Sequence, residues 1–391
     1  MRKVRHYIFL KDVFLLSLSA FGGPAAHLAL FFKVLVKKRA YLTEAELIDL
    51  NSFCQILPGP ASTQTLTAVG FKIGGPRLAF LTLLVWILPA VTIMTLSAIF
   101  IAYLEHKSIP LGFTKYLMPI SVGFVAFAAY KICVTVVNTR TAITILIITS
   151  VASYFVRNPA IFPIVLILSG FITAFRFKKQ PKQEKKEPLK IEWSNLILYG
   201  SIFIGAALLG YITHALPIRL FENFFRNGSL TFGGGQALSA LLYKEFVQFK
   251  HYLSSEEFLS GYALLQVLPG PLFSFSAFIG GLAMRDYGIA GQLLGSLVAT
   301  AGIFLPGTIL IFFIIRFWER LKAYRGVRAS LEGINAASAG IVISTAFILF
   351  QPLEGSMINY IIVAATFAIL LLTKVPSPVV IAAGLCAGLV F

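Results

Sequence analysis

Four apolar segments of this chain are broken by glycine and proline where a helix inside a bilayer would have no reason to stop. In "FCQILPGPAS", residues 53–62, Pro58 and Pro60 flank Gly59, and "LLQVLPGPLF" returns at 264–273. Around them run apolar stretches of about 16 to 28 residues, the length scale of a bilayer core that takes about 20 helical residues to cross. Stretches of that length, without the short in-and-out alternation of outer-membrane strands, select helices over a barrel. Composition agrees: 58% of the 391 residues are hydrophobic and 13% charged, with a mean hydropathy of +0.84, far above a soluble domain with one core. The fold class is an all-α integral membrane protein. The start, "MRKVRHYIFLKDVF", lacks a small-residue cleavage site behind a short apolar core, so no cleavable signal is expected.

A net charge of +17 would suggest nucleic acid in a soluble protein, but here the bases crowd into loops beside apolar segments. The positive-inside rule accounts for that placement without a nucleic-acid partner. Cys54, Cys133 and Cys386 are scattered in apolar surroundings, and His6, His27, His106, His214 and His251 show no ligand spacing. Neither a disulfide framework nor a metal or haem site is expected, and no cofactor. With no nucleophile–base pair and no phosphate-binding loop, an enzymatic reading has no residues to name.

Shifting the sequence by 211 residues aligns "FGGPAAHLALFFKVLVKKRAYLTEAEL" from Phe21 with "FGGGQALSALLYKEFVQFKHYLSSEEF" from Phe232 without a gap. The same shift lays "QILPGP" (55–60) on "QVLPGP" (266–271), and 17 of the 50 positions from 21 to 70 are identical. Chance among apolar residues would not put identity at every motif, so the chain is a fused duplication. Beyond a six-residue insertion in the second copy the shift becomes 217, matching Leu88 and Pro89 to Leu305 and Pro306, and Gly123 to Gly340.

The apolar runs predict two broken elements at about 12–36 and 52–72, then continuous helices near 77–104, 116–138, 141–156 and 159–175. A charged linker, "RFKKQPKQEKKEPLKIEW" at 176–193, divides a first repeat (1–175) from 194–391. The second part opens with an extra helix at about 194–216, then repeats the scheme at about 224–248, 258–284, 288–318, 329–350, 356–373 and 375–391. One unmatched crossing between copies with equal, even numbers of crossings turns the second copy over, giving an inverted repeat. Seven Lys/Arg in the linker, five in 316–328 and four at the amino terminus put all three on the cytoplasmic side. Lys33, Lys37, Lys38 and Arg39 would then lie outside if the first element crossed fully, so the broken elements are expected to be re-entrant; full spans are the alternative.

Backbone that leaves the helix in lipid strands N–H and C=O groups, and persists only where protein or water satisfies them. In "SAFGGPAAHLAL" Gly22 and Gly23 permit a break and Pro24 suits the first turn of a new helix; Pro60 can play that part before Ser62 and Thr63. Each break thus exposes a helix amino terminus, whose free N–H groups and positive dipole end suit a small oxyanion. Gln55 and Gln266 precede the breaks and offer amide N–H, while Ser62, Thr63, Ser274 and Ser276 offer hydroxyls. An isolated LPGP would be read as a kink between packed helices; its return at fixed register behind the same Gln argues for a site. Lys33 and Lys244 are equivalent and would lie toward opposite faces of an inverted repeat, which favours an anion path over plain snorkelling at both. Glu46 and Glu257, also matched, suit capping or pairing with a lysine, or carrying a coupling proton. Lys72, after the first break, and Lys131, inside an apolar helix, offer charge to a buried dianion. "GINAASAG", 333–340, is expected to be a close helix contact.

The stretches "FGGPAAH", "KKRAYLTEAEL", "CQILPGPASTQ", "FGGG" and "QVLPGP" together resemble the chromate ion transporter family in its long, two-domain form, over nearly the whole chain. The resemblance implies a prokaryotic plasma-membrane carrier that exports chromate and confers chromate resistance, with sulfate, another tetrahedral dianion, as look-alike. Carried over by position, its motif residues are Phe21, Gly22, Gly23, Pro24, Gln55, Pro58, Gly59 and Pro60, with Phe232, Gly233, Gly234, Gly235, Gln266, Pro269, Gly270 and Pro271 in the second copy. Gly235 stands where the first copy has Pro24, so the half-sites are not equivalent. The expected partners are chromate, sulfate and lipid, and a homodimer is left open. A carrier for sulfate, molybdate or another oxyanion, or a non-transporting scaffold or sensor, are the alternatives; anion-dependent thermal stabilisation separates carrier from scaffold.

Overall fold

The computed structural model describes residues 2–21, 23–107, 115–136, 139–156, 158, 160–175, 193–232, 235–315, 324–353, 356–373 and 375–390, and is helical almost throughout. No strand occurs among the described residues. The first copy runs α1 (Arg2–Ser17), α2 (Gly23–Phe31) continued by a π-helical turn (Phe32–Lys38), α3 (Glu44–Ile56), α4 (Ala61–His106), α5 (Leu117–Val136), α6 (Arg140–Phe155) and α7 (Ile161–Ala174). After α8 (Ser194–Thr213), the second copy runs α9 (Leu216–Leu230), α10 (Gly235–Leu242) with its π-helical turn (Tyr243–Phe249), α11 (Ser255–Val267), α12 (Phe275–Ala283), α13 (Gly288–Ile314), α14 (Arg325–Phe350), α15 (Met357–Leu372) and α16 (Ser377–Val390). Of the linker, residues 176–192 lie outside the described residues.

Among the described residues, four helices are long and apolar enough to cross a bilayer: Ala61–His106, Ser194–Thr213, Arg285–Ile314 and Ala329–Phe350. Together with the duplicated pattern of shorter apolar helices they make this a multi-pass membrane protein. Several boundaries differ from the apolar runs, α9 starting at Leu216 rather than near 224 among them. The first element reaches back to Arg2 and α3 to Glu44, because charged turns, and at α3 a capping box, carry the helix past the greasy stretch.

The duplication is written into the backbone at matching positions. Both π-helical turns close with an N–H reaching five residues back, Arg39 to Val34 O (3.0 Å) and Lys250 to Glu245 O (2.9 Å). Ala40 and His251, one residue on, take φ +47° and +54°, and Tyr41 N and Tyr252 N then return to Leu35 O and Phe246 O at 2.8 Å each. A capping box follows in both copies. Thr43 Oγ1 accepts from Glu46 N (3.3 Å) while Glu46 accepts from Thr43 N (2.8 Å), and Ser254 with Glu257 does the same (3.1 and 2.5 Å).

A second break lies inside α4, where Gly74 and Gly75 leave helical geometry and Pro76 opens the next helix. Gly75 (φ 74°, ψ −167°) has its counterpart in Gly288 (φ 67°, ψ −168°), which opens α13. That offset of 213 lies between 211 before and 217 after, so two inserted residues precede the turn and four follow it. Four residues are about one helical turn, which keeps Pro306 on the face that Pro89 uses in the first copy.

Spatially the chain gathers into two compact units, each drawing on both copies: residues 1–109, 193–229 and 264–315 form one, and 110–192, 230–263 and 316–391 the other. In the second unit α14 runs against α6 and α7 at close range. A Cβ on Gly333 would collide with Ser169 O, and one on Gly340 would lie 2.6 Å from Leu146 O, so the "GINAASAG" run is small because backbone approaches it.

Candidate functional site

Three of the four FGG and LPGP motif breaks lie in the first unit: 18–21 after α1, 57–60 between α3 and α4, and 268–271 after α11. Gly59 and Gly270 hold φ +118° and +119°, a conformation that costs other residues about 1–2 kcal/mol. Each LPGP glycine is then seated against the long helix of the opposite copy. A Cβ on Gly270 would come within 2.9 Å of Ala90 Cβ, and one on Gly59 within 3.6 Å of Gly307 Cα. Ala90 and Gly307 are equivalent positions, each following the helix proline, so the contact is reciprocal. The 18–21 break joins the same cluster, because Gly270 N donates to Ala20 O at 2.9 Å.

Two buried side chains from the first copy tie these breaks together. His27 Nε2 lies 3.1 Å from Ala20 O, and Nδ1 lies 2.9 Å from Ser62 Oγ. Trp86 stands edge-to-face with His27 at 5.4 Å and donates from Nε1 to Thr63 Oγ1 at 3.1 Å. Gln64 donates from Nε2 to Pro58 O at 2.7 Å, filling the space over Gly59 and Gly307, while its Oε1 is buried without a partner. Ser274, the counterpart of Thr63, is fully buried and its hydroxyl also has no partner. Both LPGP breaks therefore keep an orphaned buried polar atom in the turn that follows them.

The remaining motif residues occupy varied surroundings. Gln55 is exposed and Gln266 half-buried; Pro58 and Pro269 are half-buried, and Pro60 and Pro271 occupy the residue before the helical turn. Phe21 is exposed, Gly23 has φ +79° at the start of α2, and Gly22, Gly233 and Gly234 lie outside the described residues. Phe232 packs against the second unit's core around Ala337 and Leu241, just before Gly235 begins α10. Ser276 Oγ donates to Phe273 O at 2.9 Å and has no hydrogen left for a ligand. Glu46, besides its cap, pairs with Lys72 at 2.5 Å; Lys72 and the Thr43 N–H hold the Glu46 carboxyl down at about 2.

Lys33 and Lys244 have parted company. Lys33 is exposed, whereas Lys244 is 2% exposed in the second unit, its ammonium on the Ser153 carbonyl and 5.1 Å from the Phe162 ring centre. The neighbouring carboxylate, Glu245, pairs with Lys250 at 3.3 Å.

His27, Gln64 and Trp86 were not legible as site residues. His27 and Gln64 stand inside the motif stretches "FGGPAAH" and "LPGPASTQ", and a buried polar side chain within a turn of each break was the available signal. Removing the Gln64 amide should be felt locally: Gln64→Leu leaves Pro58 O unpaired and should cost about 1–3 kcal/mol, read as a lower melting temperature in detergent.

Comparison with known proteins establishes what the duplication is. A family model described as "Chromate transporter" matches twice, over residues 8–175 and 218–389. The chain belongs to the chromate transporter family. It is 26% identical over 381 residues to a probable chromate transport protein of Synechococcus elongatus, covering 95% of this chain and 92% of that protein. A chromate transport protein of Pseudomonas aeruginosa is 25% identical over 391 residues, 96% of this chain and 90% of that one. An uncharacterized transporter of Bacillus subtilis is 28% identical over 184 residues, 45% of this chain but 97% of its own length, so a relative exists at the size of one copy. No solved structure matches the chain.

Proposed function

We propose that this transporter is a secondary active carrier that moves chromate out across the plasma membrane, with sulfate as a competing dianion. The observation that carries the reading is the clustering of three broken helices in one unit, joined by the Gly270 N to Ala20 O hydrogen bond and by the reciprocal seating of Gly59 and Gly270. The helix starts at Gly23, Ala61 and Leu272 each leave N–H groups without helical carbonyls, and such termini take anions without a dedicated charge. Chromate relatives of nearly the same length supply the substrate class.

The copies in this reading form an inverted repeat. An apolar 20-residue helix, α8, stands between them as the odd crossing, with the amino terminus and the 176–193 linker cytoplasmic. Residues 23–38, 44–56 and 61–73 would each extend only about 20–24 Å, short of an about 30 Å core, which favours re-entrant pairs over full spans. Gln266, Ser62 and Thr63 sit at the breaks of the first unit; in the second unit Lys244 carries a deeply buried ammonium, which this reading assigns to anion transport.

Purified protein in liposomes should take up labelled chromate saturably, with sulfate competing, under a pH gradient or against trans sulfate. No flux of either anion from folded protein would end this reading.

A further inference from the structure

The imidazole of His27 is 2% exposed and bonded at both nitrogens, and those bonds dictate its protonation. Ala20 O can only accept, so Nε2 carries the hydrogen; Nδ1 of the neutral ring must then accept, and Ser62 Oγ donates to it. Ser62 is the second residue of α4, where the N–H groups of Ala61, Ser62 and Thr63 precede the first helical hydrogen bond, Gln64 N to Pro60 O at 2.9 Å. A second proton on the ring would reverse that bond. Nδ1–H would donate, Ser62 Oγ would accept, and the hydroxyl hydrogen would be freed to turn toward the open first turn of α4. The bond to Ala20 O, and through it the tie to Gly270 N, would persist.

We propose that His27 is the positioning residue through which proton binding and oxyanion binding are linked, with Ser62 as the relay. This rests on the anion site proposed at the breaks. The unpartnered Ser274 hydroxyl, fully buried in the matching turn of the second copy, is an independent mark that these turns expect a ligand. Protonation adds one donor and one positive charge behind the α4 terminus, so anion and proton each favour the other's binding by the same factor. The groups set against the ring are Ser62 and Trp86 from α4, Phe31 from α2, and Ala20 O. Charged side chains on the elements packed against α2 are engaged elsewhere or point to the surface: Lys33, Lys37 and Lys38 are exposed, Lys72 holds Glu46, and Arg77 is exposed. The device is confined to the first copy, because the counterparts of His27, Ser62 and Trp86 are Leu238, Phe273 and Ile303.

Sulfate is the probe, since chromate itself takes up a proton near neutrality whereas sulfate stays a dianion. Sulfate binding to detergent-purified protein, followed by thermal stabilisation from about pH 4 to about pH 8, should tighten by up to about tenfold per unit as pH falls into the acid end of that range, because burial disfavours the charged ring until the anion is present. His27→Gln, which keeps a neutral donor, should bind sulfate with an affinity independent of pH. Ser62→Ala leaves the His27–Ala20 bond in place and should flatten the slope as well, and it carries the test if His27→Gln does not fold. Sulfate binding without a pH slope in the wild type, or a slope retained in either folded variant, overturns the linkage and leaves the anion site standing. No sulfate or chromate binding by folded wild type at any pH removes the anion site and this inference with it.

Discussion

Chromate flux into liposomes should fall to background when Gly59→Leu and Gly270→Leu are combined, while each single variant should lose at least about tenfold. Both glycines hold a φ in the left-handed region, +118° and +119°, where a side chain costs about 1–2 kcal/mol in backbone strain alone. Contacts raise the cost. At Gly59 a Cβ would meet Gln64 Nε2 at 2.8 Å, pushing aside the amide that satisfies Pro58 O; at Gly270 it would meet Ala90 Cβ, the root of a side chain on α4, at 2.9 Å. Relief requires the LPGP turn to withdraw from the opposite copy's helix, which moves the start of α4 or the turn at Leu272 off its position. The milder pair Gly59→Ala and Gly270→Ala, checked by gel filtration and melting temperature, separates loss of the site from loss of the fold. Normal chromate flux in the folded double variant would place transport away from the breaks.

Lys244→Met should transport at least about tenfold more slowly than wild type with an equal or higher melting temperature, whereas Lys33→Met should change flux little. Burying an ammonium costs several kcal/mol, and attraction to an aromatic face returns about 0.5–2 kcal/mol. With the Ser153 carbonyl and the Phe162 ring as its described contacts, Lys244 does not stabilise the fold, and a methionine of similar volume would fill its place without desolvation. Intramembrane charge kept under those conditions marks a transport path. Melting and flux falling together in Lys244→Met would instead make the residue a structural tether of α6. Lys33 offers the internal control, since it holds the equivalent position in the other copy and is exposed.

Much of the architecture was readable from residue order. The 211-residue shift located the second FGG and LPGP motifs, and the structure repeats the π-helical turns, the positive φ at Ala40 and His251, and both capping boxes at that same shift. Helix existence followed from apolar run length, because a chain in lipid satisfies its backbone only in helices or closed barrels and these runs are too long and unalternating for barrel strands. The starts of α1 and α3 did not, because charged turns and a capping box extend a helix beyond its apolar run. Motif spacing nominated Gln55, which proves exposed, and passed over Gln64, five residues past the LPG turn, whose amide closes on Pro58.

What the sequence determined by itself is local and periodic: helices in a membrane, a duplication, and glycine at turns that admit no other residue. What only the tertiary structure decided is which equivalents remain equivalent. Lys33 and Lys244 share a register but not an environment, and His27 finds Ser62 across 35 residues while its counterpart Leu238 has no proton to move. Burial and hydrogen-bond partners come from elements distant in the chain, and a repeat copied in sequence does not copy its neighbours.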